Sequence, residues 1–201
     1  MRYIGRDNVR KLLEPLDGTP GTTVYADGEV EVRSDAGHLS LRPSFGLAHS
    51  GTYETVHVGP LLDELARDHV VAVLLVRLGG YAAGMFEGER LVASKVGSRF
   101  VKNRNKKGGS SSNRYRRRRE EQASALIREA ATVAAEVLAP APFAALGGDR
   151  TAVDAVLAER RDLGWLRDRA IPHFLTVPDP RLRTLQALPY DLYAVRVEEL
   201  A

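Results

Sequence analysis

Short stretches of alternating apolar and polar residues fill the first third of the chain. Strands are expected at residues 23–25, 30–32, 39–41 and 52–58, and short helices at 7–16 and 60–68. Asp27-Gly28 lies between the first two stretches, and this dipeptide favours a tight β-hairpin turn. Residues 1–65 are therefore predicted to form an N-terminal α/β extension that packs on the main domain.

A nearly unbroken apolar and β-branched run occupies residues 70–78. Such a run is typical of a strand that is buried on both faces of a sheet. Two short glycine-containing turns separate it from two further strand-like stretches, at 81–86 and 91–96. The pattern predicts a meander of three antiparallel strands.

Apolar residues recur at helical spacing in the second half of the chain and predict a helix over residues 114–138. They are Leu126, Ile127, Ala130, Ala134, Val137 and Leu138. Because this stripe begins about three turns into the helix, the first turns have little apolar surface to pack, and we expect them to project from the body. A parallel strand at 143–146, helices at 151–160 and 180–187 and a final strand at 192–197 are also predicted.

Together these elements predict an α+β or α/β fold, in which a mixed sheet contains an antiparallel three-strand meander and is flanked by helices. The sequence Gly147-Gly148-Asp149-Arg150 joins the predicted parallel strand to the next helix. It lacks the spacing and the Lys-Ser/Thr pair of a Walker loop, so we interpret it as a tight strand-to-helix turn.

Positive charge is concentrated in one segment. Between Val92 and Arg119 the chain carries eleven Lys and Arg residues and no Asp or Glu. The other 173 residues hold 18 basic and 26 acidic side chains, a formal net charge of −8. Tyr115 lies among the arginines, and no acidic residue in the segment neutralises them. This pattern favours insertion into a nucleic acid at a defined place over a solvated surface loop.

Several other classes of site lack the residues that they need. The chain has no cysteine, which excludes disulfides and thiolate chemistry, and its five histidines show no metal-ligand spacing. No apolar run approaches the roughly 18 residues that span a bilayer, and the first residues lack a signal-peptide core. We therefore expect no metal, no cofactor, no membrane association and a cytoplasmic location. A metal-dependent nuclease ranks last, because the strands at 70–78 and 81–86 contain no acidic ligands.

The order of these features resembles the catalytic domain of eukaryotic-type peptide-chain release factors. The shared features are three antiparallel strands, a basic loop with a double glycine, a long arginine-rich helix and a strand that ends in Gly-Gly-Asp-Arg. The chain looks most like the bacterial Vms-like release factors, which are related to the peptidyl-tRNA hydrolase of eukaryotic ribosome quality control. The most specific parts of the resemblance are residues 95–101 and 108–119.

The resemblance implies a release-factor catalytic-domain fold, which is ribonuclease-H-like, for residues 66–201, with a basic loop at 98–113. It implies hydrolysis of the ester between nascent peptide and tRNA, without a cofactor, by a monomer that binds large-subunit rRNA and peptidyl-tRNA. The expected catalytic residues are Gly108, Gly109, Ser112 and Asn113. The expected RNA-binding residues are Lys95, Arg99, Lys102, Arg104, Lys106, Lys107, Arg114, Tyr115, Arg116, Arg117, Arg118 and Arg119.

The sequence departs from this family at the catalytic loop. A glutamine soon after the glycines helps the family to place water and to stabilise negative charge, and here Ser112 or Asn113 takes its place. Asn113 keeps the amide but is one methylene shorter, and a displacement of about 1 Å costs about 10²-fold in a positioned reaction. Gln122 lies roughly 13 Å farther along the predicted helix. Two functions stay open: a ribosome-associated peptidyl-tRNA hydrolase and a non-catalytic ribosome-binding or tRNA-binding relative.

Overall fold

The protein is described by a computed structural model that covers residues 1–99 and 111–200, with the backbone alone for residues 111–115. Its strands are β1 (Arg2–Ile4), β2 (Pro20–Ala26), β3 (Glu29–Ser34), β4 (Gly37–Pro43), β5 (Gly51–Thr55), β6 (Val70–Arg77), β7 (Gly80–Glu87), β8 (Arg90–Ser98), β9 (Phe143–Gly148) and β10 (Val195–Glu199). Its helices are α1 (Arg6–Leu13), α2 (Gly59–Leu65), α3 (Ser111–Val137), α4 (Arg150–Glu159), α5 (Trp165–Asp168), α6 (Leu182–Gln186) and α7 (Pro189–Leu192).

The chain divides into two compact units. Unit 1 comprises Met1–Asp68 and Leu188–Ala201, and unit 2 comprises His69–Ala187. The C-terminal strand therefore belongs to unit 1, whereas the sequence analysis placed it in a domain at 66–201. The alternation of residues along a strand shows which face is buried, but it does not show which sheet the strand joins.

Unit 1 contains a six-stranded antiparallel sheet with the strand order β1-β10-β4-β3-β2-β5. The predicted hairpin between β2 and β3 is confirmed, and Asp27 and Gly28 both have positive φ, at 52° and 77°. This is the turn geometry that Asp-Gly favours. Strand β10 lies between β1 and β4, and its Val195 and Val197 are buried in the core of the unit. The expected strand at 52–58 is shorter, ending at Thr55.

Unit 2 contains a four-stranded mixed sheet with the order β8-β7-β6-β9. Strands β6, β7 and β8 form the predicted antiparallel meander, and β9 pairs with β6 in parallel, as predicted. Residues 71–76 of β6 are all fully buried, which confirms that this strand is covered on both faces. Helices α3 and α4 contribute Leu126, Ala134 and Val156 to the core of the unit.

The loops that follow β6, β8 and β9 all lie at one end of this sheet. Strands β6, β8 and β9 end there and β7 begins there, because Arg77 pairs with Gly80, Gly80 with Ser98, and Val76 with Gly148. We call it the carboxyl end of the sheet. The turn from β9 into α4 is tight, as predicted, and the Asp149 side chain caps α4 by accepting a hydrogen bond from the Ala152 N–H.

Candidate nucleic-acid interface

Helix α3 carries most of the described part of the basic segment. It has 27 residues and is therefore about 40 Å long. Among its described side chains, Leu126 is the first buried one, and residues 116–118 and 120–121 are exposed. The expectation that the first turns lack apolar packing is thus confirmed from residue 116 onward. We call residues 111–125 the arginine-rich end of α3.

The helix begins at Ser111, three residues earlier than predicted. Ser112 and Asn113 consequently lie in its first turn rather than in the loop. The first four N–H groups of a helix have no partner within the helix, so those of Ser112 and Asn113 can donate to other acceptors. Gln122 lies on the same helix nine residues after Asn113, about 13 Å along the axis.

Two carboxylates attach α3 to strands β7 and β8 and to the residue that follows β8. Glu129 accepts a 3.0 Å hydrogen bond from the Tyr81 hydroxyl through Oε1, and its Oε2 lies 3.6 Å from Arg99 Nε. Glu136 Oε2 lies 2.7 Å from Lys95 Nζ. Because the later residue on the helix pairs with the earlier residue on the strand, α3 runs antiparallel to β8. The start of α3 therefore lies 18 residues, or about 27 Å, beyond Glu129 along the helix axis.

These ion pairs correct one expectation from the sequence. Within the basic segment no acidic residue is present, but Lys95 and Arg99 are partly neutralised by Glu136 and Glu129 of α3. Arg116 lies 3.8 Å from Glu120, one helical turn later. The count of charges along the sequence missed these pairs because it stopped at Arg119. All three pairs are at least two-fifths exposed, so each contributes little to stability and can yield to a phosphate.

Arg117, Arg118 and Arg119 form no ion pair with any residue whose side chain the structure describes. Successive helical residues are about 100° apart, so the four arginines at 116–119 point around most of the helix circumference. A flat layer of phosphates would reach only some of them. A cavity lined with phosphates on several sides would reach all of them.

Several predicted site residues cannot be placed beside this helix. Gly108, Gly109, Lys102, Arg104, Lys106 and Lys107 lie outside the described residues. Ser112, Asn113, Arg114 and Tyr115 are described by their backbone alone, as part of the first turns of α3. The structure brings together Lys95, Arg99 and α3, and the other members of the predicted site stay predictions.

Sequence reasoning missed the residues that hold α3 on the sheet. Tyr81 is buried, and its ring passes so close to Gly97 of β8 that a Cβ there would overlap it. Burial and, next in size, the hydrogen bond to Glu129 together raise the pKa of Tyr81 to about 12, so the hydroxyl stays a neutral donor. The seven-residue spacing of Glu129 and Glu136 on one face of α3 is the sequence signal that could have revealed these contacts.

Other kinds of site are not seen in the described parts of the chain. There, no three His, Asp or Glu side chains are grouped so that they could hold a metal ion. No helix within the described ranges is long and apolar enough to cross a membrane.

Comparison with known proteins gives one family match. The family model described as Actinobacteria/chloroflexi VLRF1 release factor matches residues 68–198. Among solved structures, the crystal structure of archaeal translation termination factor aRF1 is similar, with 12% identity, a TM-score of 0.45 and coverage of 94% of this chain and 73% of that one. A structure described as the Vms1 mitochondrial localization core has 10% identity, a TM-score of 0.41 and coverage of 97% and 82%. No curated protein sequence matches.

Proposed function

Because the chain belongs to the Actinobacteria/chloroflexi VLRF1 release-factor family, which gives it a release-factor-like role on the ribosome, we propose that it is a peptidyl-tRNA hydrolase. Its partners in this proposal are large-subunit rRNA and peptidyl-tRNA, and it acts as a monomer in the cytoplasm. The observation that carries the proposal is the arginine-rich end of α3, which has cations around most of its circumference and no buried side chain among residues 116–125.

The positive charges at the N-terminal end of α3 favour a binding site that carries negative charge. Arginines near a helix N-terminus repel one another and oppose the helix dipole. Bound phosphates relieve both effects, because the free N–H groups and the positive end of the dipole attract anions. The proposed binding mode is therefore insertion into a cavity of the large subunit lined by rRNA phosphates, with the tip of α3 near the tRNA 3′ end.

The proposed reaction is hydrolysis of the ester that joins the peptide to the tRNA. A water oxygen attacks the ester carbonyl carbon, the bond to the tRNA 3′ oxygen breaks, and that oxygen takes a proton as it leaves. Asn113 would orient the water through its amide, and N–H groups of the first turn of α3 would donate to the developing oxyanion. Gly108 and Gly109 would allow backbone geometries that a side chain forbids.

The fold proposed for unit 2 is the ribonuclease-H-like release-factor catalytic domain. Support comes from the antiparallel meander of β6, β7 and β8, followed by the long helix α3 and then by β9, which pairs in parallel with β6. This is the element order that the resemblance of the sequence implied.

Peptide release from stalled ribosome complexes tests the activity. The wild type should release peptide slowly, Asn113→Gln should release it faster because the longer side chain restores the reach of the amide, and Gly109→Ala should abolish release. Asn105→Gln, the same exchange elsewhere in the basic loop, is the matched control and should behave as the wild type. If Asn105→Gln also releases peptide faster, the gain is not specific to position 113, and Asn113 is not the residue that orients the water.

The second candidate is a non-catalytic relative that binds the ribosome or tRNA. The observation that favours it is the absence of glutamine at positions 110–113 after the double glycine. If the wild type and Asn113→Gln both bind ribosomes normally and release no peptide, the hydrolase proposal fails and the binding function replaces it.

A further inference from the structure

Four arginines outside the basic segment lie at the carboxyl end of the unit 2 sheet, around the place where the basic loop leaves the body. We call Arg77, Arg150, Arg181 and Arg183 the collar. Arg99, the last residue described before position 100, donates its N–H to Gly79 O at 3.1 Å, and this bond fixes the root of the basic loop beside the turn from β6 to β7.

The first two collar residues are held by their own contacts. Arg77 follows the last buried residue of β6, and its Nη1 donates a 2.8 Å hydrogen bond to Val177 O. Arg150 opens α4 directly after β9, and its guanidinium carbon lies 4.1 Å from the centroid of the Phe174 ring. Both residues are exposed and keep unused N–H donors.

The other two collar residues reach the same end through the segment that follows α5. Residues 170–175 run parallel to β9 along its free edge, through bridges from Ala170 to Ala144 and from Leu175 to Gly147. Beyond Leu175 the chain passes the end of the sheet, where Pro180 lies against Gly80 at the start of β7. Arg181 and Arg183, which follow Pro180, are both exposed.

A turn just before α6 holds this pair in place. The Thr184 hydroxyl donates to Asp179 O at 2.8 Å, and the Thr184 N–H donates to Arg181 O at 2.9 Å. Thr184 itself is buried. The backbone that carries the two arginines is therefore fixed, while their side chains stay exposed.

Acidic residues near the collar leave it with a net positive charge. The Asp149 side chain is engaged with the Ala152 N–H at the start of α4. Asp179 lies 3.2 Å from Arg181, but both side chains are more than half exposed, so the pair is weak and exchangeable. No described carboxylate forms an ion pair with Arg77, Arg150 or Arg183.

We propose that the collar binds rRNA phosphates of the large subunit at the mouth of the cavity that the arginine-rich end of α3 enters. This rests on the proposed function for the identity of the cavity. A cavity whose walls carry rRNA phosphates on several sides of α3 also has rRNA backbone, and therefore phosphates, around its opening. The collar flanks the root of the inserted loop, so it meets that rim while the tip of α3 lies about 27 Å beyond Glu129.

The decisive variant is Arg181→Ala/Arg183→Ala, because neither arginine packs in the core. The matched control is Arg161→Ala/Arg167→Ala, which removes two exposed arginines at the opposite end of the sheet. Arg161 follows the end of α4, and Arg167 shortly precedes residue 170, which pairs beside the start of β9. Binding of each protein to vacant large subunits is measured over a series of KCl concentrations. Vacant subunits carry no tRNA, so rRNA is the only RNA present.

The collar variant should bind at least about tenfold more weakly near physiological salt, because a hydrogen bond to a charged group contributes that much or more. The slope of log Kobs against log salt should fall by roughly 1.5, since each phosphate contact contributes about 0.7 to 0.9. Arg181→Lys/Arg183→Lys should keep most of the slope, and the control should match the wild type. Equal loss in the control and in the collar variant would overturn the proposal.

Two other outcomes would also overturn it, by assigning the surface to a different partner. If the collar variant binds more weakly only to subunits that carry tRNA, and not to vacant subunits, the arginines contact tRNA. Leu78 and Leu182 lie at the same end, 50% and 44% exposed. If Leu78→Ser/Leu182→Ser weakens binding and the arginine variants do not, the partner is a protein.

The collar proposal and the hydrolase proposal can fail separately. If the wild type binds large subunits but releases no peptide, the hydrolase proposal fails and the collar proposal stands.

Discussion

The Tyr81 hydroxyl on β7 donates a 3.0 Å hydrogen bond to Glu129, the residue of α3 that lies opposite the end of β8. Arg99 approaches the other oxygen of the same carboxylate. This three-residue contact lies at the base of the part of α3 that extends beyond the sheet. A rotation of α3 about this point would displace the tip of the helix far more than its base, so the contact, together with the core packing of the helix, helps to set the direction in which the arginines extend.

Removing either partner should lower the stability of unit 2. We expect Tyr81→Phe and Glu129→Ala each to lower the free energy of unfolding by about 1 to 2 kcal/mol, because each leaves a polar group without its partner. The double variant should cost less than the sum of the two. A double-mutant cycle by urea unfolding measures this coupling. Glu136→Ala, which removes only the exposed pair with Lys95, is the control and should cost at most about 1 kcal/mol. Strict additivity would refute the contact.

Gly97→Ala should disturb the same contact without touching a charge. The added Cβ overlaps the Tyr81 ring, so the ring or strand β8 must shift, at a cost of about 1 to 3 kcal/mol. Thermal unfolding is the measurement, and Ser98→Ala, at the next and exposed position of β8, is the control. A variant as stable as the wild type would show that β8 yields easily at this point.

Stability should fall at alkaline pH because of two buried tyrosines. Burial raises the pKa of Tyr25 in unit 1 and of Tyr81 in unit 2 from 10.0 to about 12. Between these values the unfolded chain loses the proton that the folded chain keeps. The free energy of unfolding is therefore unaffected by these groups below pH 10 and falls as the pH rises from about 10 to 12. Urea unfolding over this range should show the fall, and Tyr25→Phe and Tyr81→Phe should each reduce it. If the free energy of unfolding of both variants falls as much between pH 10 and 12 as that of the wild type, the two hydroxyls are not the source of the fall.

The arginines of α3 should be dispensable for folding. We expect Arg117→Ala/Arg118→Ala/Arg119→Ala to keep the thermal midpoint of the wild type, because these side chains have no described ion pair, while binding to ribosomes weakens. Leu126→Ala, at the first buried position among the described side chains of the helix, should instead lower the free energy of unfolding by about 2 to 5 kcal/mol. Circular dichroism on heating separates the two. A large loss of stability in the arginine variant would show that this part of α3 packs on the body.

The parts of the fold that depend on neighbouring residues could be predicted from the sequence. The hairpin at Asp27-Gly28 and the meander from β6 to β8 follow from turn chemistry and from strand periodicity, which act over a few residues. The parallel strand β9 and the long helix α3 were also found, because their apolar patterns are distinct. The start of α3 was placed three residues too late, since serine and asparagine suit both a loop and a first helical turn.

Contacts between distant residues could not be predicted. Tyr81 and Glu129 are 48 residues apart, and the charges that neutralise Lys95 and Arg99 come from a different element. Arg181 and Arg183 reach the carboxyl end of the sheet only because residues 170–175 run along β9. A sequence shows the kinds of charge that a protein carries, whereas the pairing of strands decides which charges share a surface.

The position of β10 between β1 and β4 in the unit 1 sheet sets an order for folding during synthesis. Strand β1 pairs with β10, which in turn pairs with β4, so β1 cannot join this sheet until Val195–Glu199 has been made. Unit 2 is one continuous stretch and can fold while the nascent chain is still growing. Until the last strand arrives, β4 keeps one unpaired edge, and the incomplete sheet is the stage at which nascent copies of this protein are most open to wrong pairing.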